Sequence, residues 1–152
     1  LDRWLKAPSE RGQTVLERYD LEALNHLLIH VLDRQQTLQL SIPIYSKRAL
    51  LAQQLIEECI EPNDVIILEG TVALNLKVPF TQSNAQIHRW FVETDEKNRK
   101  ERVLAEYGLR GKSLTEAQAI YAQRLQDETP YVVSSRELAS ECIDLGLARD
   151  LS

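Results

Sequence analysis

The apolar residues of this chain recur at helical spacing in some stretches and form short continuous runs in others. A helix is predicted after Asp20, a suitable N-cap, because leucines then recur every three or four residues along one face. Residues 38–45 are interpreted as a short segment, and a second helix is predicted over residues 46–60, where Pro62 stops it. The unbroken apolar run at residues 65–68 lies between turn residues, which is typical of a strand buried on both faces of a sheet.

The second half of the chain continues this alternation of strand and helix patterns. Residues 87–92 predict a further strand. Asp95 or Thr94 then caps a helix, and Gly108 is predicted to end that helix as a left-handed residue.

Ser113 opens a capping box, so the next helix is predicted to run to roughly Asp127 and to end before Pro130. Residues 141–145 fit either the end of a helix or a strand. Strands that alternate with helices predict parallel βαβ units. The predicted fold class is therefore α/β, a three-layer α/β/α sandwich with a mainly parallel sheet, in a single domain over residues 1–152.

Composition and charge narrow the classes of function. The net charge of −5 argues against a dedicated nucleic-acid binder. The longest apolar stretches are far too short to span a bilayer, and these residues contain no secretory signal, so we expect a cytoplasmic protein with no membrane partner. Cys59 and Cys142 are far apart in the sequence, which predicts two free, buried thiols in a reducing compartment.

Two acidic residues at the ends of apolar stretches are candidates for chemistry. Glu69, followed by Gly70, stands at the carboxyl end of the strand predicted at residues 65–68, where ligands bind in open α/β sheets. Asp2 is interpreted as the end of another strand, so the two acids are predicted to share one rim of the sheet. Phosphoryl transfer needs a carboxylate near the attacking hydroxyl and another group that organises magnesium. A solvated loop acid at Glu69 and a frayed chain end at Asp2 are the alternatives.

A dense run of basic side chains lies on the helix after Asp95 and in the loop beyond it, and comprises Lys97, Arg99, Lys100, Arg102, Arg110 and Lys112. Such an excess of positive charge in an acidic protein predicts a lid over phosphate groups, because arginine forks match phosphate oxygens. The alternative is a solvated helix, since interleaved acids can pair with these cations. Gly111-Lys112-Ser113 is not the end of a P-loop, because Glu106 stands where that loop needs a glycine.

Taken in order, these landmarks resemble the uridine kinase-like branch of P-loop kinases, which comprises nucleoside kinases, with phosphoribulokinase and pantothenate kinase as relatives. The matching segments are Leu1-Asp2-Arg3-Trp4, Tyr19-Asp20, Pro43-Ile44-Tyr45 with Arg48, residues 65–70, residues 91–95, Arg102, Arg110-Gly111-Lys112-Ser113, Tyr121 and residues 139–143. The resemblance covers nearly the whole chain, and it favours a strand for the last of these segments.

The resemblance implies a P-loop kinase-like fold and an ATP-dependent phosphoryl transfer, with ATP and Mg²⁺ as cofactors, to a hydroxyl of a small nucleoside-like or sugar-like metabolite. The lid would occupy about residues 95–127. By this resemblance, Asp2 would be the catalytic base, and Glu69 would be a second catalytic carboxylate that positions Mg²⁺ directly or through water. The phosphate-binding residues of the lid would be Arg99, Arg102 and Arg110. The acceptor-binding residues would be Tyr45 and Arg48.

The chain also departs from the family pattern. Glu101 and Ala105 stand where the lid would carry further arginines, and a histidine expected between Tyr45 and Arg48 is missing. The second hypothesis is therefore a kinase-derived binding or regulatory module that keeps the acceptor pocket without ATP-dependent activity. The expected partners are a small-molecule acceptor and a nucleotide, with a homo-oligomer left open.

The first strand and the P-loop of that family are absent from these residues. The chain starts at Leu1 and contains no methionine, so we do not expect a complete, unprocessed translation product. Without a central strand, neighbouring strands would leave backbone amides unpaired, at about 1–3 kcal/mol for each buried group. A leading segment or a second chain is expected to supply the P-loop.

Overall fold

The computed structural model describes residues 1–33, 35–46, 51–77 and 85–146. The chain divides into two compact units, which we call unit 1 (Leu1–Ile87) and unit 2 (His88–Ser152). The region expected to form a lid, residues 95–127, lies within unit 2.

Unit 1 combines one α-helix with a β-hairpin and several single-turn helices. Its regular elements are α1 (Leu21–Leu32), β1 (Leu38–Ser46), β2 (Leu51–Ile60) and 3-10 helices at Asp2–Trp4, Pro8–Glu10, Leu16–Arg18 and Ala73–Asn75. The Asp20 carboxylate accepts a hydrogen bond of 3.0 Å from the amide of Ala23, which confirms the predicted N-cap of α1.

The core of unit 1 forms around the apolar face of α1. Leu24, Leu28 and Val31 recur at helical spacing and are buried, and Leu24 is fully buried at 0% exposure. Val72 is also fully buried, and Leu76, four residues later, is buried as well. The helical leucine pattern thus identified the core-facing side of α1 correctly.

The hairpin replaces the helix that the sequence predicted over residues 46–60. β1 and β2 pair antiparallel from Leu38 opposite Ile60 to Ser46 opposite Leu51, with a register shift between Ile44 and Tyr45. Residues 51–60 are rich in leucine, glutamine and glutamate, which favour helices, but intrinsic propensity is a weak bias. Pairing with β1 supplies a ladder of backbone hydrogen bonds that outweighs this helix propensity. The prediction of a helix over residues 46–60 was therefore wrong.

Residues 65–68 lie outside every helix and strand of the described chain. Val65 is 88% exposed and Ile67 is 80% exposed, so this run is not the doubly buried strand that its composition predicted. A doubly buried strand needs neighbouring strands that pair with its backbone and helices that cover its two faces, and no described strand pairs with these residues.

Unit 2 contains two helices and a small parallel sheet. Its elements are β3 (Trp90–Glu93), α2 (Glu96–Leu109), α3 (Leu114–Ser134), a 3-10 helix at Ser135–Leu138 and β4 (Glu141–Asp144). Trp90 pairs with Glu141 and Glu93 with Asp144 in parallel register, so the ambiguous residues near the end of the chain form a strand. Asp95 caps α2 through a hydrogen bond of 2.9 Å from the amide of Asn98, as predicted.

Two helix ends in unit 2 differ from their predictions. Gly108 lies inside α2, and Gly111, with φ of +80°, is the glycine in the left-handed region that follows the helix. Pro130 lies inside α3, which continues to Ser134. Proline removes one amide donor, but the helix keeps its remaining hydrogen bonds and extends by another turn.

These elements correct the predicted fold class. The described residues form three α-helices and two sheets of two strands each, one antiparallel and one parallel, instead of a three-layer α/β/α sandwich with a mainly parallel sheet. The physical reason is that the strand expected at residues 65–68 is unpaired, while the helix expected at residues 46–60 pairs as a strand. The described residues therefore do not form the P-loop kinase-like sheet.

Two further expectations concern burial and membranes. Cys59 and Cys142 are free thiols, but both are exposed, so their predicted burial was wrong. Among the described residues, no helix has the length and apolar character needed to cross a bilayer.

The capping box that begins α3 generates a pH prediction. The amide of Ser113 donates to Glu116 at 2.9 Å, and Lys112 lies 3.2 Å from the same carboxylate. These contacts, led by the backbone hydrogen bond from Ser113, lower the pKa of Glu116 from 4.5 to about 2. Because the folded pKa lies below the unfolded one, the carboxylate stabilises the fold above about pH 4.5 and loses this effect as the pH falls toward 2.

We expect Glu116→Gln to lower the melting temperature at pH 6, and we expect this difference to shrink as the pH falls toward 2, because a growing fraction of Glu116 is then protonated and uncharged. Thermal unfolding followed by circular dichroism measures this difference across the pH range. Glu101→Gln is the control, since Glu101 is exposed on α2 and has no hydrogen-bond or ion-pair partner among the described residues. An equal melting-temperature difference at both pH values would contradict the prediction.

Candidate functional site

Unit 1 contains a pocket of about 480 Å³ whose floor is aliphatic and whose rim carries charged side chains. Leu27 and Leu28 of α1 and Leu40 and Ile42 of β1 contribute to the floor. Asp2, Tyr45 and Glu69, which come from separate parts of the sequence, line the same pocket. Pockets that bind small molecules commonly combine an apolar lining with a few convergent polar groups.

Asp2 reaches the pocket on a single turn of 3-10 helix (Asp2–Trp4). The amide of Trp4 donates to the carbonyl oxygen of Leu1 at 3.0 Å, which closes the turn. The carbonyl oxygen of Trp4 in turn accepts from the amide of Asp20 at 2.8 Å, at the beginning of α1. The turn that carries Asp2 is therefore held against the start of the helix that forms the pocket floor.

Glu69 is brought beside this turn by a close approach of two backbone segments. The nitrogen of Leu1 donates to the carbonyl oxygen of Glu69 and lies 3.8 Å from its Oε1 atom. Gly70 has φ of +140°, and a Cβ atom there would lie 3.1 Å from the nitrogen and 3.2 Å from the Cβ of Leu1. Glycine suits this position because it adopts positive φ without penalty and leaves room for Leu1.

The two carboxylates of the pocket rim face solvent. Asp2 is exposed, and the side chain of Glu69 is 88% exposed. Exposed carboxylates keep their capacity to accept hydrogen bonds from a bound hydroxyl. The sequence placed both acids at the ends of parallel strands, whereas the structure places them on a 3-10 turn and an irregular segment that meet at one pocket.

Tyr45 enters the pocket from the irregular part of β1. The register of the hairpin shifts between Ile44 and Tyr45, so that Tyr45 pairs with Ala52 and Ile44 with Gln54. A bulge of this kind redirects the side chains beside it, and Tyr45 is half-buried against the pocket. Arg48, the other predicted acceptor-binding residue, lies outside the described residues.

Two pocket residues were missed by the sequence interpretation. Arg3 and Trp4 line the pocket together with Asp2, and all three belong to one 3-10 turn. In the sequence, both residues directly follow Asp2, and this position could have indicated that they line the same pocket.

A second hollow of about 520 Å³ lies near Lys6, Gly12 and Glu17 in unit 1. Its lining is polar, and Glu17 is held there by a hydrogen bond of 3.0 Å from the amide of Thr14, which lowers the pKa of Glu17. This hollow lacks aromatic side chains and an aliphatic floor, so the pocket that contains Asp2 and Glu69 is the stronger candidate.

The three arginines predicted to bind phosphate differ in how they are engaged within unit 2. Arg99 donates to Glu96 at 3.1 Å and to Thr129 at 3.0 Å, so it links α2 to α3. Arg110 forms an ion pair with Glu106. Arg102 is exposed and has no hydrogen-bond or ion-pair partner among the described residues, which leaves its guanidinium available.

Tyr121, on α3, links that helix to α2, which carries Arg99 and Arg102. Its hydroxyl donates a short hydrogen bond to Glu96, and the guanidinium of Arg99 lies 5.7 Å from the centre of its ring. Burial, followed by the hydrogen bond to Glu96, raises the pKa of Tyr121, while the bond from Tyr121 lowers the pKa of Glu96. Tyr121 therefore holds α2 and α3 together as a buried, neutral phenol.

The rim of the pocket carries oxygen donors of the type that a hydrated magnesium ion binds. Mg²⁺ prefers oxygen ligands, keeps several waters and commonly uses one or two carboxylates together with substrate phosphates. Asp2 and Glu69 supply carboxylate oxygens in the same pocket. Within the described part of the chain, no group of three or more His, Cys, Asp or Glu side chains could enclose a metal by itself.

Comparison with known proteins adds no family assignment: neither family models nor curated proteins give a match to this chain.

The approach of Gly70 to Leu1 generates a prediction. We expect Gly70→Ala to destabilise the protein by about 1–3 kcal/mol, because the new methyl group meets Leu1 and the backbone holds positive φ. Gly111→Ala is the matched control, since Gly111 also has positive φ but a Cβ there meets no atom within 4 Å. Denaturant unfolding of both variants should show the larger loss for Gly70→Ala. Equal losses would mean that the contact with Leu1 contributes nothing.

Proposed function

We propose that this chain transfers the γ-phosphoryl group of ATP to a hydroxyl of a small nucleoside-like or sugar-like metabolite. The observation that carries the proposal is that Asp2, Tyr45 and Glu69, distant in sequence, line a single pocket with an aliphatic floor. The carboxylates can accept hydrogen bonds from hydroxyl groups, and the aliphatic floor can pack against an apolar group. A small molecule with a hydroxyl-rich part and a flat or apolar part therefore suits this pocket.

Asp2 acts as the general base in this reaction. Its carboxylate accepts the proton of the acceptor hydroxyl as the hydroxyl oxygen attacks the γ-phosphorus. The bond between the γ-phosphorus and the oxygen bridging to the β-phosphorus breaks, and ADP leaves with that electron pair. The products are a phosphate monoester, ADP and a proton on Asp2.

Glu69 of unit 1 and Arg102 of unit 2 are each proposed to bind a charged group. Glu69 would hold Mg²⁺ through water or directly, and the ion, when bound, offsets negative charge on the phosphates. Arg102 of unit 2, whose side chain has no hydrogen-bond or ion-pair partner among the described residues, would bind phosphate oxygens in a forked geometry. Tyr45 would bind the acceptor.

A binding or regulatory module without ATP-dependent activity is the second candidate function. Two observations favour it: Arg99 and Arg110 already engage neighbouring carboxylates, and the sequence contains no Gly-x-x-x-x-Gly-Lys-Ser/Thr motif. Calorimetric titration with MgATP separates the two candidates. Saturable MgATP binding supports the kinase, whereas binding of a nucleoside or sugar without any MgATP affinity supports the module.

Asp2→Asn tests the base. We expect turnover of an accepted metabolite, measured as ADP release, to fall by about 10²–10⁴-fold, with acceptor affinity nearly unchanged, because asparagine fills the same space but accepts no proton. Asp33→Asn is the control, since Asp33 caps the end of α1 and does not line the pocket. Unchanged turnover in Asp2→Asn would exclude Asp2 as the base.

Arg102→Ala tests the phosphate contact. We expect turnover to fall about tenfold or more, with acceptor affinity preserved, because the guanidinium would act on charge that develops on the transferring group. Lys100→Ala removes a cation from the same helix and serves as the control for overall charge. Equal turnover in the two variants would mean that Arg102 is a solvent-exposed side chain of α2 without a role in phosphate binding.

A further inference from the structure

Residues 65–68 form an exposed apolar segment beside the pocket of unit 1, which we call the edge segment. Exposure alternates along it, since Val65 and Ile67 are 88% and 80% exposed while Ile66 is 38% exposed. Alternation with a period of two is the pattern of an extended chain that shows one side to solvent. The edge segment nevertheless belongs to neither sheet.

The backbone of the edge segment is unpaired within the described chain. Neither the amides nor the carbonyl oxygens of residues 65–68 form a hydrogen bond with a described residue. A row of free donors and acceptors next to exposed β-branched side chains is a template for one more strand. The backbone would supply the hydrogen bonds, and Val65 and Ile67 would bury apolar surface against the added segment.

Charge at the two ends of the edge segment restricts what can pair with it. Glu61 and Asp64 precede the segment, Glu69 follows it, and all three are exposed. In an antiparallel pair of two copies that matches all four apolar residues, Asp64 of one copy would lie opposite Glu69 of the other. Like charges placed opposite each other destabilise a strand pair, so a second copy is disfavoured. A strand with basic residues at both ends complements these acids.

We propose that the edge segment binds an extended apolar segment of a partner protein, flanked by lysine or arginine, as an added antiparallel β-strand. This inference goes beyond the proposed phosphoryl transfer and does not depend on it. Ile66, Ile67 and Leu68 also line the pocket, so the added strand would lie beside the ligand-binding cavity.

The test uses the full chain and a fluorescent nine-residue peptide with alternating valine and threonine between two pairs of lysines. We expect saturable binding by fluorescence anisotropy, weakened at least tenfold when glutamates replace the lysines. A peptide methylated on alternate backbone nitrogens should lose binding, because it cannot donate the hydrogen bonds of a strand. This result distinguishes strand addition from general adhesion to apolar surface.

Variants of the chain locate the binding site. Ile67→Pro removes a backbone donor, and Val65→Thr with Ile67→Thr removes apolar contact, so both changes should abolish or strongly weaken binding. Because Val65 and Ile67 are largely exposed, neither change disturbs the core. Leu55→Thr is the control, since Leu55 is 66% exposed on β2 and outside the edge segment.

Three results would overturn the proposal. The first is a lack of saturable binding at millimolar peptide, and the second is equal binding by the N-methylated peptide. The third is self-association of the chain in sedimentation that Ile67→Pro abolishes while the basic peptide does not bind, which would assign the edge segment to a second copy.

Discussion

The candidate site depends on one close backbone approach, in which Leu1 lies against Glu69 and Gly70. Glycine makes the approach feasible, because any side chain at position 70 would meet Leu1 while the backbone holds positive φ. The contact places the turn that carries Asp2 beside the segment that carries Glu69, although 66 residues lie between them in sequence. The same turn is joined to the start of α1 by the hydrogen bond from the amide of Asp20 to the carbonyl oxygen of Trp4. This bond holds the helix that forms part of the pocket floor next to the turn that carries Asp2.

The sequence predicted features that short-range chemistry determines. The caps at Asp20, Asp95 and Ser113 are correct because each side chain accepts a hydrogen bond from the amide three residues later, which is independent of distant parts of the chain. The buried face of α1 is correct for a related reason, since helical spacing alone decides which leucines share a side. The sequence also selected Asp2, Tyr45 and Glu69, which meet at one pocket, although the strand ends expected to place two of them there are absent.

Features that depend on distant partners could not be predicted in this way. Residues 51–60 carry good helix formers, yet pairing with β1 decides their structure. The apolar run at residues 65–68 has the composition of a buried strand, and composition cannot reveal whether neighbouring strands cover it. In the sequence, Arg99, Arg102 and Arg110 were equivalent candidates for phosphate binding. In the structure, Arg99 and Arg110 form ion pairs within unit 2, whereas the side chain of Arg102 has no such partner among the described residues.

The two exposed cysteines have a consequence for handling the protein. Disulfide exchange proceeds through the thiolate, and partial desolvation together with the nearby Glu61 carboxylate raises the pKa of Cys59, which slows its reaction at neutral pH. Cys59 belongs to unit 1 and Cys142 to unit 2, so each molecule offers two separate points of covalent attachment. Oxidation in air can therefore join molecules into open-ended polymers as well as dimers, and a reducing agent keeps the preparation monodisperse.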